Sequence, residues 1–246
     1  MSSTSSAVSN GQPSKGPWVY MAPYLAPPIA ASAAIVLVFR DMIAKSAQQK
    51  GLAVPIMSFE AGVKEGIKAA PTVGAIVGTQ MVVQSAVEKM LSGGEDRKSL
   101  STTLTSSAIV GSASAPVLAV FNGQTMGWTV RESLRRFSPR QAMAIAVQET
   151  AFVGGLSVAD QVATAMKNRF GDSKVVDYTA AFVTAAAGSL AGHPANTALT
   201  RWQSGMSVDS CRSLMWGALR KARAVGAFSV LYQIGKSVLT TPPGTG

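Results

Sequence analysis

The chain has 246 residues, 47% of them hydrophobic and only 14% charged, with a mean hydropathy of +0.24. Soluble domains carry about 25% charged residues, so this balance points to a membrane protein. The formal charge of +10 and a pI near 10.1 raise nucleic acid as a partner. Against it, the basic residues sit between apolar runs, with no RNP, zinc-finger or helix-turn-helix pattern. Cys211 is the only cysteine and His193 the only histidine. That removes an intramolecular disulfide, a multi-cysteine metal site and the usual catalytic constellations, so neither a metal nor an enzymatic activity is expected.

In chain order, residues 1–16 read as a disordered polar N-terminus, Ser-rich, with one base and no acid. It is neither an Arg-rich amphipathic presequence nor a secretory signal peptide. Six low-charge windows follow, over residues 16–39, 69–87, 99–130, 141–159, 178–200 and 224–235, and Glu149 is the one charge inside the fourth. A span needs about 20 mainly apolar residues; five windows qualify, and the sixth needs flanking residues. Most of this material is Ala, Gly, Ser, Thr and Val, which packs against other helices or lines a polar cavity more readily than it faces lipid alone. Residues 241–246 form a short irregular tail, so the membrane domain is expected over 17–240.

The connections alternate in charge. Those after segments one, three and five carry net charges of +2, +3 and +4, and the two between them are neutral. Counting Lys and Arg alone, 14 lie on one side and 6 on the other. By the positive-inside rule this fits six spans with both termini on the neutral side.

An internal repeat is also expected, over about 17–92, 99–167 and 175–238. Lys68-x-x-Pro71-x-x-Gly74 leads to Gln80, and Arg136-x-x-Pro139-x-x-Ala142 leads at the same spacing to Gln148-Glu149. Arg220-x-x-Arg223-x-x-Gly226 leads to Tyr232-Gln233 and then Lys236. The competing reading is that basic-x-x-Pro marks only a helix start. In odd segments a proline falls late in the run: Pro28, Pro116 and Pro194. The last belongs to the stretch Pro194-x-Asn196 through Arg201-x-Gln203. Gly74-x-x-x-Gly78 and Gly188-x-x-x-Gly192 read as helix-packing sites.

On these residues the chain resembles the mitochondrial carrier family. That resemblance implies an all-α fold of six transmembrane helices in three hairpin repeats, in the inner mitochondrial membrane, with both termini in the intermembrane space. The family's odd-helix signature is Pro-x-acid-x-x-base, often followed by Arg-x-Gln. Here Asn196 stands where the acid belongs, and Pro28 and Pro116 are followed by Ala30 and Leu118 in that place. The even-helix signature is met best by Tyr232-Gln233-x-x-Lys236, again without its acid. No charged gate pair is therefore expected, and Arg201, with no acid at Asn196, Ala30 or Leu118, is expected to settle on backbone carbonyls, lipid phosphate or a neighbouring subunit instead. The connections after segments three and five look too short for the family's amphipathic matrix helix.

Two functions follow. The first is a non-transporting accessory subunit of a larger, respiratory-type membrane complex, with membrane lipids and other inner-membrane subunits as partners. The alternative is an active carrier of a small anionic metabolite, with Lys68, Arg136 or Arg220 as charge partners. Gln80, Gln148 and Glu149 line a cavity or bridge helices, and His193 is a packed histidine at the kink or a substrate- or pH-sensing group. Arg135, Arg136 and Arg140 form a positive-inside cluster that needs no ligand, or else bind an anionic metabolite or phospholipid such as cardiolipin; no other cofactor is implied.

Overall fold

The computed structural model describes residues 17–92, 100–156 and 158–241. The expected polar N-terminus and all of the tail beyond residue 241 lie outside them. Among the described residues every regular element is helical: α1 (Pro17–Gln49), α2 (Phe59–Ser92), α3 (Leu100–Gln124), α4 (Val130–Arg135), α5 (Pro139–Leu156), α6 (Ala159–Phe170), α7 (Lys174–Ala191), α8 (His193–Gln203) and α9 (Ala218–Thr240), with a 3-10 turn at Ser213–Met215.

Alanine makes α1 possible. Ala22, Ala26, Ala30 and Ala34 recur every fourth residue and are all buried, giving a narrow inner stripe of the best helix former. This stripe lets a 33-residue helix absorb Pro23, Pro27 and Pro28. Long helices then pack in sequence: α1 on α2, α2 on α3, α3 on α5, α5 on α7, α7 on α9, and α9 back on α1. The result is a closed ring of six. Trp18 Nε1 donates to Leu239 O at 2.8 Å, so both described chain ends lie at one end of it.

The ring is narrow because glycines let backbones approach. Gly62 and Gly66 of α2 lie against Arg40 and Val36 of α1, and Gly74 lies against Ser32 and Pro28. Gly188 packs on Phe152 and Gly155, and Gly192 on Gln148. Gly78, expected as a packing site, has open space around it. The contacts run through Gly62, Gly66 and Gly74 instead, one helical turn apart or a multiple of it.

Charge placement changes the span count read from the sequence. By length and apolar composition, two helices can cross a membrane, Pro17–Gln49 and Ser101–Gln124, or three if α7 and α8 are one broken span. α2 misses although residues 69–87 carry no charge, because Pro71, Gln80, Gln84 and its glycines dilute the apolar residues there. α9 carries Arg220, Lys221, Arg223 and Lys236, and the 18 residues of α5 include Arg140, Gln141, Gln148 and Glu149. The helices also overrun their apolar windows, α1 by ten residues and α2 by a similar length at its start.

No threefold repeat is evident in how the basic-x-x-Pro elements are used. Pro139 opens α5, as a helix-start proline should, whereas Pro71 lies well inside α2. The connections after α3 and α8 hold only the six-residue α4 and the 3-10 turn. The longer amphipathic helix, α6, follows α5. α4 owes its existence to a capping box: Thr129 Oγ1 accepts from Glu132 N, and Glu132 Oε2 accepts from Thr129 N at 2.9 Å. Those bonds, the backbone one foremost, hold the exposed Glu132 carboxyl below its ordinary value of 4.5. Its support of α4 is thus fully present above that ordinary value and lost as pH falls through the lower native one. The protection of Thr129 N–H against exchange, relative to its intrinsic rate, should fall in that acidic window; a Glu132→Gln variant should lose the pH step.

Candidate functional site

The decisive local feature is the break between α7 and α8. It falls at Gly192-His193-Pro194, where the proline cannot continue the helix ladder, and the axis turns by 56°. The turn carries α8 across one end of the ring, where it meets α1, α3 and α5 as well as α7.

There α8 ties the ends of α1 and α3 together through amides and hydroxyls. Gln49 Nε2 donates to Asn196 Oδ1 and to Thr197 Oγ1, both at 2.9 Å, and Gln49 Oε1 accepts from Thr200 Oγ1 at 2.9 Å. Asn122 Nδ2 donates to Gln203 Oε1 at 2.6 Å, and Gln203 Nε2 donates to Ala119 O at 3.0 Å. Ser46 and Thr125 share a hydrogen bond of 2.6 Å. All of these side chains are buried. Where the carrier resemblance would place ion pairs, the described residues build a neutral floor. Asn196 and Gln203 were legible as members from their motif; Ser46, Gln49, Asn122, Thr125, Thr197 and Thr200 were not. Their one sequence signal is that polar residues cluster in the last turns of two apolar helices.

Above the floor, inside the ring, lies a partly open cavity of about 220 Å³. Lys45, Lys221 and Glu149 are the charged residues in its wall. Lys45 is 3% exposed and donates to Asn196 Oδ1 at 3.2 Å, a neutral acceptor. Lys221 is 6% exposed, with Glu149 as its electrostatic counterpart. Glu149 bridges helices: Gln80 Nε2 of α2 donates to Oε2, and Gln148 Nε2 donates to Oε1, each at 3.2 Å. Gln80, Gln148 and Glu149 are therefore together, as the sequence suggests. Both lysines were read as loop charges, because each sits at the margin of an apolar window. The extra helical turns of α1 and the early start of α9 draw them into the ring.

Lys68, Arg136 and Arg220, the three cations expected to face a cavity, do not line this one. Lys68 is exposed and pairs with Glu65 at 2.7 Å. Arg136 is exposed with its guanidinium 4.3 Å from the centroid of the Trp128 ring, and Arg220 lines a shallow open groove beside Trp216 and Arg223. Arg140 likewise stacks on Trp202 at 3.8 Å.

Arg201 corrects another expectation, because it has an acid partner. The chain turns back at Gly205, whose φ of 72° suits glycine, and lays 207–209 against α8. The buried guanidinium binds the Asp209 carboxylate and donates from Nε to Ser207 O at 2.7 Å. Asn196, the position of the missing acid, faces Lys45 and not Arg201. An Asn196→Asp change is thus expected to stabilise the protein near neutral pH, by giving Lys45 a charged partner in a low-dielectric floor. A lower unfolding midpoint in detergent for that variant would contradict the assignment.

His193 is fully buried at the break, its Nε2 2.9 Å from Trp216 O and 3.2 Å from Thr197 Oγ1, with no partner for Nδ1 among the described residues. It fastens the 3-10 turn to α8 and lies outside the cavity wall. Tyr232 stacks on Phe228 with centroids 6.3 Å apart, Gln233 lines a groove beside α6 and α7, and Lys236 is exposed. Pro116 faces a shallow apolar groove with Pro71. No group of three or more metal-ligating side chains occurs among the described residues. Neither a known protein-family model nor a curated protein matches the chain.

Proposed function

We propose that the chain is a carrier-like protein of the inner mitochondrial membrane that binds a small anionic solute inside its six-helix ring and exchanges it across the membrane. One observation carries this reading: Lys45 and Lys221 are both buried and both line the same cavity, with Glu149 as the single acid. Ionisable groups at membrane depth are costly and mark ligand or ion pathways. An uncompensated positive charge there is relieved by an anion. The adjacency of the described chain ends and the bend at Pro194 agree with an even number of crossings and a kinked odd helix.

The neutral floor favours a second reading, the accessory subunit. Its amides and hydroxyls hold no ion pairs to break and remake, leaving the half-exposed Asp41–Arg223 pair between α1 and α9 at that end, and charge-pair exchange is how the resembled carriers alternate access. Reconstitution of the full chain into liposomes separates the two. Exchange of any labelled mono-, di- or tricarboxylate or nucleotide, lost in Lys221→Met, supports the carrier. Absence of all exchange, together with migration in a megadalton band on native gels, supports the subunit.

A further inference from the structure

We propose that the solute is an amphipathic monoanion, a small monocarboxylate with a branched or aromatic apolar body, bound with its head on Lys45 and Lys221. This rests on the cavity being a solute site, as above, and adds what kind of solute fits. Three observations define it.

The first is charge. Two lysines and one glutamate line the cavity, so a single negative charge restores neutrality, and a second or third would enter a site with no cation left for it. Glu149 already engages Gln80 and Gln148 and acts on Lys221. Lys45, bound only to an amide oxygen, is the cation most in need of a carboxylate.

The second is the wall. Twelve of the twenty lining residues are apolar, so a fully hydroxylated or polyanionic solute would leave most of its surface without partners. A buried polar group without a hydrogen bond costs roughly 1–3 kcal/mol. The polar lining falls into two groups, with Gln80, Gln148 and Glu149 bound to one another on α2 and α5. Lys45, Asn122 and Asn196 cluster at the floor, and Lys221 begins α9 there. Phe228, seven residues further along α9, and Phe152 of α5 line the opposite part. At 1.5 Å rise per residue, the seven-residue separation is about 10 Å, enough for a carboxylate head and a short body.

The third is size. Sites for drug-sized ligands run from about 300 to 1,000 Å³; a cavity of about 220 Å³ falls below that range and suits a body of a few carbons or one ring.

The test is equilibrium binding to the intact protein in non-ionic detergent, with acetate, 4-methylpentanoate, 3-phenylpropanoate, succinate, citrate and ATP as probes. The expected order puts 4-methylpentanoate and 3-phenylpropanoate at least tenfold tighter than acetate, succinate, citrate or ATP. Lys45→Met should abolish the advantage. Val77→Trp, which fills the apolar part and leaves every charge in place, should weaken the two larger monocarboxylates and leave acetate unchanged. Tighter binding of succinate, citrate or ATP that Lys45→Met removes would overturn the monoanion while keeping an anion site. No binding of any probe to folded protein would overturn both.

Discussion

Replacing Gln49 by leucine should lower the stability of the detergent-solubilised protein by about 3 kcal/mol, since stranding buried polar partners costs roughly 1–3 kcal/mol each. Gln49 is fully buried and makes three hydrogen bonds to Asn196, Thr197 and Thr200, joining the end of α1 to α8. Its partners keep some alternatives: Lys45 still reaches Asn196, and Thr200 still bonds Asn196 O and Asn122. That redundancy is why the estimate is one large unsatisfied group's worth and not three. Unfolding followed by intrinsic tryptophan fluorescence measures it. Asn122→Leu, which removes the Asn122 bonds to Gln203 and Thr200 and leaves Gln203 on Ala119 O, should cost a similar amount. The double variant should cost less than the sum, because the two share Thr200 as a partner. Strict additivity would mean that the floor is not one connected network.

A larger loss is expected from Gly188→Leu. A Cβ at Gly188 would stand 2.8 Å from Phe152 O and 3.2 Å from Gly155 Cα. Both neighbours are backbone, which cannot rotate aside as a flexible side chain can. Overpacking a tight core costs about 1–3 kcal/mol and occasionally more, and here the clash separates α5 from α7 along their whole contact. Misfolding or aggregation on extraction is the expected result. Gly78→Leu is the control: with nothing within 4 Å of a Cβ there, it should fold normally. Equal tolerance of both changes would remove the close α5–α7 contact from the fold.

The sequence alone determined the all-helical character, the apolar runs long enough to cross a membrane, the position of the break at Pro194 and the near-absence of charge in the first, third and fifth segments. Each is a local property: apolar run length, a missing backbone donor and residue composition act within a few turns of the residue concerned. It also pointed to Gln80, Gln148 and Glu149, because a carboxylate flanked by an amide in an apolar run must find polar partners. The tertiary structure decided the rest. Whether a lysine at the edge of an apolar window is a loop charge or a buried one depends on how far its helix continues, and that is set by packing against neighbours. Lys45 and Lys221 entered the ring this way, while Lys68, Arg136 and Arg220 stayed outside. Asp209 found Arg201 because a glycine turn folds the chain back on itself. The floor joins residues up to 151 positions apart, so only the closure of the ring, with α8 bent beneath it, could bring Gln49, Asn122 and Thr200 within hydrogen-bonding reach.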